Sequence, residues 1–432
     1  MANSEFIVGL DIGTTKISAV VGKKNDSGKI DILGISSTPS DGVSRGVVVN
    51  IDRTVNAIKK VIKEVSDKSD LEIGVVHVGI AGQHISSMQQ KSTIVRNESE
   101  EAISVRDTER LREDVKRLAM KPGEQIIHII PQEYSVDNEL GIRESPVGMS
   151  GIRLEGFFHI VTGQTAAVKN IYRCVQKAGL EVGQLILEPI ASAHATLAED
   201  EKEAGVVLVD IGGGTTDISI YKDGIIRHTA VIPLGGNIIT EDIVQGCNVM
   251  KRDAEIMKTK FGSAMADKMR SHDVITIPGL KGREAKEISF KNLSYIIQAR
   301  VEEIFEHLAF EIKASGFEKR LIAGVVVTGG GGLLRDLKPL VEYTTGMDAR
   351  IGTPIEYLDK GMIDEVNNPK FATAVGLILC GVQQSEEINT VDSTESEDSP
   401  INKAEKGKKE GFFGNLFKKG MKFIGDSGED FK

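Results

Sequence analysis

Two short stretches of this sequence carry carboxylates, hydroxyls and glycines at a spacing suited to holding phosphate. They read DIGTTKIS from Asp11 and DIGGGTTDIS from Asp210, one motif used twice with two extra glycines in the second copy. Phosphate oxygens need backbone N–H donors at close range, and glycine permits that approach because it has no Cβ. In the first copy Gly13 offers this freedom, and in the second Gly212, Gly213 and Gly214 do. The hydroxyls of Thr14, Thr15, Thr215 and Thr216 can donate further bonds. A magnesium ion bridging the phosphates takes hard oxygen ligands, often through water. Asp11 and Asp210, each placed before its loop, are the metal candidates on that chemistry, and Asp217 adds a third carboxylate. One such hairpin by itself is an ordinary tight β-turn; the matching pair is what points to a grip on a nucleotide triphosphate.

A third stretch, VVVTGGGG from Val325 to Gly332, reads as a buried strand running into glycines ahead of a helix. That arrangement presents backbone and a helix N-terminus to a ligand. No Walker A pattern, GxxxxGK[ST], is present.

The elements that must position these loops follow from periodicity. Strands are expected on both sides of Gly13 and again over Gly205–Tyr221, with an amphipathic helix at Thr54–Val65 and a strand at Ile73–Ile80. From Ile85 to Phe158 the pattern changes to strands around a charged helix at Val105–Ala119, which reads as a separate insert. Helices are expected over Thr165–Ala178, Gly235–Phe261, Leu293–Ser315, Leu333–Thr344 and Phe371–Val382. A motif repeated so far apart implies duplicated domains rather than a short-period solenoid.

The composition fits a soluble globular chain of 432 residues, long enough for two or more domains. A net charge of -10 argues against a general nucleic-acid binder, which would show a basic face. Three well-separated cysteines, Cys174, Cys247 and Cys380, make no disulfide framework or metal site. No stretch approaches the roughly 20 apolar residues of a membrane span, and the start of the chain lacks signal-peptide character. The expectation is a protein that stays in the cytoplasm and touches membrane only peripherally.

The end of the chain is where that contact is expected. Residues 385–410 have almost no apolar side chains and read as a disordered linker. Residues 411–425 then read as a helix. On a wheel of about 100° per residue, Phe412, Phe413, Leu416, Phe417, Met421, Phe423 and Ile424 take one half, and Lys418, Lys419 and Lys422 the other. An aromatic face opposite lysines describes an interfacial membrane helix, and the upstream lysines would add about 1 kcal/mol each on anionic lipid. A helix docking on protein is the other reading, disfavoured by the linker.

The order of these motifs resembles the superfamily of actin, Hsp70 and the sugar kinases, and within it the FtsA family of bacterial cell-division proteins. The resemblance covers residues 5–385 and the terminal helix. It rests on GLDIGTTKISAVVG, LEPIASAHATL, VVLVDIGGGTTDISIY, LGGNIITEDI, VVVTGGGGLLRDL and NPKFATAVGLILCG. It implies an α/β actin-like ATPase fold with two duplicated domains around a nucleotide cleft. The first domain would take residues 5–84, 159–198 and 355–384, with the family's inserted subdomain at 85–158. The second would take 199–234 and 316–354, with a helical subdomain at 235–315.

The resemblance also implies roles. Asp11, Gly13, Thr14 and Thr15 would form one phosphate loop, and Asp210, Gly212 to Gly214, Thr215, Thr216 and Asp217 the other. Glu188 matches the position that orients the attacking water, although a carboxylate favoured at a helix N-terminus would look the same. Gly329, Gly330 and Gly331 would meet the adenosine. Glu255 and Lys258 resemble residues flanking the adenine and ribose; a surface salt-bridge helix is an equal contender. Lys16 is a candidate phosphate contact at a position where relatives often carry hydroxyl or apolar residues. The cofactors implied are ATP and Mg2+. No segment matches the one carrying the phosphate-contacting lysine of Hsp70, so slow turnover is expected, with ATP serving to close the cleft and favour polymerisation. The implied partners are the C-terminal tail of FtsZ, docking at about residues 236–298, other copies of the chain, anionic lipid and further division proteins. The implied location is the cytoplasmic face of the inner membrane at the division septum. A sugar kinase would need a substrate pocket with a catalytic aspartate, and a chaperone a substrate-binding domain after the ATPase.

Overall fold

Residues 6–96, 101–278 and 284–395 are described in a computed structural model of the chain, with 387–395 described for the backbone only. One compact unit runs to Gln384, and Ser385 begins a second.

The first hairpin lies at the centre of a six-stranded sheet. Its order is Glu181–Leu187, Val75–Ile80, Phe6–Ile12, Lys16–Lys24, Ile30–Pro39 and Leu358–Gly361. Phe6–Ile12 pairs antiparallel with Lys16–Lys24 and parallel with Val75–Ile80. Its sequence FIVGLDI is buried almost throughout, because both faces are covered. Val8 and Leu10 pack toward the helices Ile51–Ser69 and Thr165–Lys177. Ile7 packs the other way, with Ala374, Val375 and Ile378 of the helix Ala372–Glu395. Ile51–Ser69 begins where the Asn50 side chain accepts the Arg53 N–H at 3.0 Å and ends on Asp70 in the left-handed region. Its buried residues Val55, Ile58, Val61 and Val65 recur at helical spacing.

The second hairpin lies in a five-stranded sheet: Ile225–Ile232, Thr216–Lys222, Val206–Ile211, Val325–Thr328 and Ala349–Ile351. Here too the first strand of the hairpin has a later strand parallel beside it, Val325–Thr328. Helices Gly236–Cys247, Lys251–Phe261 and Phe290–Ser315 share a core with this sheet. The helix expected over Gly235–Phe261 is therefore two helices. Asn248, left-handed at φ 50°, closes the first. The helix expected from Leu333 begins only at Leu337, because Gly330–Leu333 form a 3-10 turn.

The insert is a four-stranded sheet in the order Ile85–Val95, Arg153–Gln164, Glu124–Val136 and Glu139–Ile142, with the helix Val105–Lys116 against it. Arg153–Gln164 runs past the boundary expected at 158, because it stays paired with Ile85–Val95 as far as Gly163. The insert also meets the second domain. Ser87 Oγ donates to the Thr229 carbonyl at 2.9 Å, Gln89 Nε2 to Arg227 at 3.2 Å and Gln132 Nε2 to Ile226 at 2.6 Å. Those carbonyls belong to Ile225–Ile232, the edge strand of the second sheet. Side chains satisfy an edge that would otherwise present unpaired backbone.

The last described helix continues to Glu395, so the first part of the expected linker is helical. Extending an established helix adds one hydrogen bond per residue fixed, which a polar stretch can follow. The expected membrane helix at 411–425 lies outside the described residues. Among the described residues no helix is long and apolar enough to cross a membrane.

Candidate functional site

Both hairpins turn where the sequence predicts. In the first, Asp11 pairs with Ser18 and Ile12 with Ile17, leaving Gly13 to Lys16 in the turn. In the second, Asp210 pairs with Asp217 and Ile211 with Thr216, leaving Gly212 to Thr215. The two tips face each other closely. A Cβ on Gly213 would sit 1.7 Å from Thr15 Oγ1 and 3.1 Å from Thr15 Cβ, so any larger residue there would force the Thr15 side chain aside. Beside the second hairpin, Gly329 adopts φ +79°, and a Cβ there would lie 2.2 Å from Asp210 Oδ1. All three glycine stretches therefore converge.

Between them lies a cavity of about 420 Å³, within the range of roughly 300–1,000 Å³ typical of small-molecule sites. Every nucleotide-site residue expected from the sequence lines it except Thr216. Glu188, Glu255, Lys258 and Gly329 to Gly331 all reach it. Thr216 is fully buried and donates its hydroxyl to the Leu234 carbonyl at 2.8 Å. As the first residue of a strand it points away from the turn.

The electrostatics of the cavity are uneven. Lys16 Nζ lies 3.0 Å from Asp11 Oδ2 and 2.8 Å from Ser18 Oγ, and it sits over the Phe371 ring at 5.1 Å. Asp210 accepts hydrogen bonds from Ser192 Oγ at 2.6 Å and Thr373 Oγ1 at 3.3 Å. Burial nevertheless pushes its carboxyl above the usual range, with Asp11 adding to the shift. Asp217 accepts one bond, from Thr215 Oγ1 at 3.1 Å, while its Oδ1 is buried without a hydrogen-bond partner. Burial, then the neighbouring Asp210, raise its pKa to about 8. Glu188 is the first residue of the helix Glu188–Thr196 and packs against Gly79. Burial, reinforced by Asp11, Asp217 and Asp210, raises its carboxyl well above normal. Four acidic side chains thus share a desolvated space with one adjacent lysine.

That surplus of carboxylate, with an orphaned oxygen on Asp217, fits a bound cation. Among the described residues no three Asp, Glu, His or Cys side chains group closely enough to ligate a metal directly. An ion here would be held chiefly through water and through the oxygens of a ligand, as magnesium commonly is. Farther along the cavity Lys258 Nζ donates to the Gly236 carbonyl and to Thr240 Oγ1, each at 2.8 Å. It also pairs with Glu255 at 2.8 Å. These two residues are fixed as a pair on the cavity wall.

Several contributors were not singled out from the sequence. The Gly236 and Asn237 N–H groups donate to the carbonyls of Gly212 and Gly213 at 2.9 and 2.8 Å, locking the second loop onto a helix start. The Gly46 N–H donates to Thr14 Oγ1 at 3.0 Å, bringing the segment before the first helix to the first loop. Ser192 and Thr373, which hold Asp210, come from separate helices.

Comparison with known proteins agrees with this geometry. Residues 207–376 match the family described as cell division protein FtsA, and residues 82–162 match the SHS2 domain inserted in FtsA. Residues 164–245 match the Hsp70 protein family. The cell division protein FtsA of Pseudomonas aeruginosa is 39% identical over 401 residues, spanning 92% of this chain and 95% of the relative. That of Neisseria meningitidis serogroup B is 40% identical over 374 residues, spanning 86% and 89%. That of Bacillus subtilis is 32% identical over 378 residues, spanning 88% and 84%. Among solved structures, the PilM–PilN type IV pilus biogenesis complex superposes with a TM-score of 0.62 at 18% identity, covering 87% of this chain and 98% of that one. MreB5 of Spiroplasma citri bound to ADP gives 0.52 at 15% identity, covering 89% and 99%. The fold is that of the actin-like ATPases, a nucleotide-binding architecture.

Proposed function

Since this chain belongs to the FtsA family of cell division proteins, we propose that it is an ATP-binding, self-assembling protein that ties the FtsZ ring to the cytoplasmic face of the bacterial membrane. The observation that carries the nucleotide part is the set of four acidic side chains, Asp11, Asp210, Asp217 and Glu188, in the cavity between the glycine hairpins.

In this reading the backbone N–H groups and threonine hydroxyls of the two turns hold the phosphates. Asp11 and Asp210 hold Mg2+ through water, and Lys16 balances charge beside the first turn. Gly329 to Gly331, Glu255 and Lys258 bracket the nucleoside. Bound magnesium–ATP supplies the phosphoanhydride bond and the cation that these carboxylates call for. Glu188 orients water from its place at the helix start. Burial and three acidic neighbours raise its carboxyl in the nucleotide-free cavity, a charge problem that a bound cation would relieve. With no counterpart to the phosphate-contacting lysine of Hsp70, turnover is slow, and the nucleotide acts mainly by joining the two domains and favouring assembly.

The membrane part rests on the sequence of residues 411–425. One short amphipathic helix binds reversibly, and assembly multiplies the anchors into avidity. Removing residues 411–432 should release the protein from anionic liposomes with its thermal unfolding unchanged; a truncated protein that still co-sediments defeats the anchor. Electron microscopy on lipid monolayers should reveal filaments with ATP and not without nucleotide. Pull-down with the C-terminal tail of FtsZ should capture the chain, and no binding at micromolar concentration would favour another actin-like role.

A further inference from the structure

The segment between the strand Ile30–Pro39 and the helix Ile51–Ser69 lies against both phosphate-loop candidates, though only the first hairpin adjoins it in sequence. Val43–Ser44 and Val47–Val48 pair as a two-residue hairpin whose turn is Arg45-Gly46. Three contacts pin that turn. The Gly46 N–H donates to Thr14 Oγ1 at 3.0 Å. The Cα of Arg45 would be only 2.9 Å from a Cβ placed on Gly214. The Arg45 carbonyl would be 2.9 Å from a Cβ placed on Gly82.

Arg45 holds φ at +48°, in the left-handed region. That conformation costs an L residue with a Cβ roughly 1–2 kcal/mol and is far easier for glycine or asparagine. A two-residue hairpin turn of this kind demands positive φ at both of its residues, and Gly46 follows at φ +75°; what singles out Arg45 is a long cationic side chain held at such a turn beside the two loops. The side chain is exposed, and among the described residues its guanidinium makes no hydrogen bond or ion pair. The cavity beside it, whose wall includes Gly46 but not Arg45, carries the four acidic side chains, with Lys16, Lys258 and Lys370 as its lysines. Lys258 is tied to the Gly236 carbonyl, Thr240 and Glu255. Lys16 is already committed to Asp11. An arginine side chain extends several ångströms beyond its Cα, and a guanidinium suits a phosphate with two parallel N–H donors.

The geometry points to Arg45 as the residue that contacts the terminal phosphate of a nucleoside triphosphate gripped between the two hairpins, from the first domain's rim. This rests on the nucleotide reading of the cavity. It gives the protein a way to distinguish triphosphate from diphosphate, because a diphosphate ends before the contact. The opposing charges of the pocket make the contact conditional: the guanidinium reaches an anion there only when a ligand brings one.

The test is equilibrium binding of ATP and ADP, each with magnesium, to the full chain and to Arg45→Gly, Arg45→Asn and Arg45→Lys. A lost charge-assisted contact corresponds to about a tenfold fall in affinity. Arg45→Gly and Arg45→Asn should lose about tenfold in ATP affinity and keep their ADP affinity, with melting temperatures no lower than the parent, since both relieve the strain. Arg45→Lys should fall between. An unchanged ATP-to-ADP ratio in Arg45→Gly, or an equal loss of both nucleotides, overturns the assignment and leaves the cavity reading intact. A parent protein that binds neither nucleotide overturns the cavity reading and this inference with it.

Discussion

The two hairpins began as one motif, and their environments have diverged. In the first, Asp11 has Lys16 at 3.0 Å, supplied by its own turn. In the second, the motif position of Lys16 is taken by Asp217, and this acid lies directly across the hairpin from Asp210, where the first has Ser18 across from Asp11. Asp210 is held by neutral hydroxyls from two helices, and one oxygen of Asp217 has no hydrogen bond. The first hairpin is locally balanced in charge; the second is held together by its surroundings and left in deficit. Duplication supplies the geometry twice, while the electrostatic work is divided.

The largest effect expected from that division is steric. Gly213→Ala puts a methyl 1.7 Å from Thr15 Oγ1 on the opposing hairpin, so the exposed Thr15 hydroxyl must turn out of the place where it would meet phosphate, whereas Gly13→Ala crowds the Lys16 carbonyl of its own turn at 2.9 Å and leaves the opposing hairpin untouched. Overpacking of this kind costs roughly 1–3 kcal/mol. Gly213→Ala should weaken ATP binding by about a hundredfold by calorimetry and Gly13→Ala by about tenfold. Equal losses would mean that the hairpins do not meet across the cleft.

A second contrast is in stability. Asp11→Asn removes the carboxylate that pairs Lys16 and should destabilise by about 1–3 kcal/mol in urea unfolding. Asp217→Asn removes a buried acid without a counter-charge and should stabilise the nucleotide-free protein at pH 8 by roughly 1–3 kcal/mol. Shifts of the same sign would erase the distinction between the hairpins.

The smallest effect is on pH dependence. Asp217 binds its proton more tightly folded, to about pH 8, than unfolded. The folded state then carries more protons, so stability falls as pH rises toward 8. His128, His159 and His194, whose pKa values burial lowers to about 4, act in the opposite sense below about pH 6.5. Melting of the nucleotide-free protein should therefore fall between pH 6.5 and 8, and Asp217→Asn should make that limb shallower, Glu188 with its raised carboxyl keeping part of it, while leaving the acidic limb in place.

Much of this site is legible in the sequence, since a strand, a glycine turn and a second strand are local facts. Gly13, Gly212 to Gly214 and Gly329 all fall where spacing places them. Thr216 does not: strand alternation sends its hydroxyl to Leu234. What spacing cannot supply is the partner that arrives from elsewhere. Ser192 and Thr373 meet on Asp210 from positions 181 residues apart. The Arg45-Gly46 turn reads as an ordinary connection until it is found against Thr14 and Gly214. The division of the helix expected over Gly235–Phe261 hangs on a single left-handed asparagine, which periodicity does not register.

The side chains of Ser87, Gln89 and Gln132 have a mechanical consequence. The insert is spliced into the first domain yet fastened to the outer strand of the second, so the two halves are joined at a strut as well as through the chain that crosses between them. A clamp braced at a second place loses its widest swing. Any movement of the halves that parts Gly213 from Thr15 must also break these three hydrogen bonds or carry the insert along with the second half.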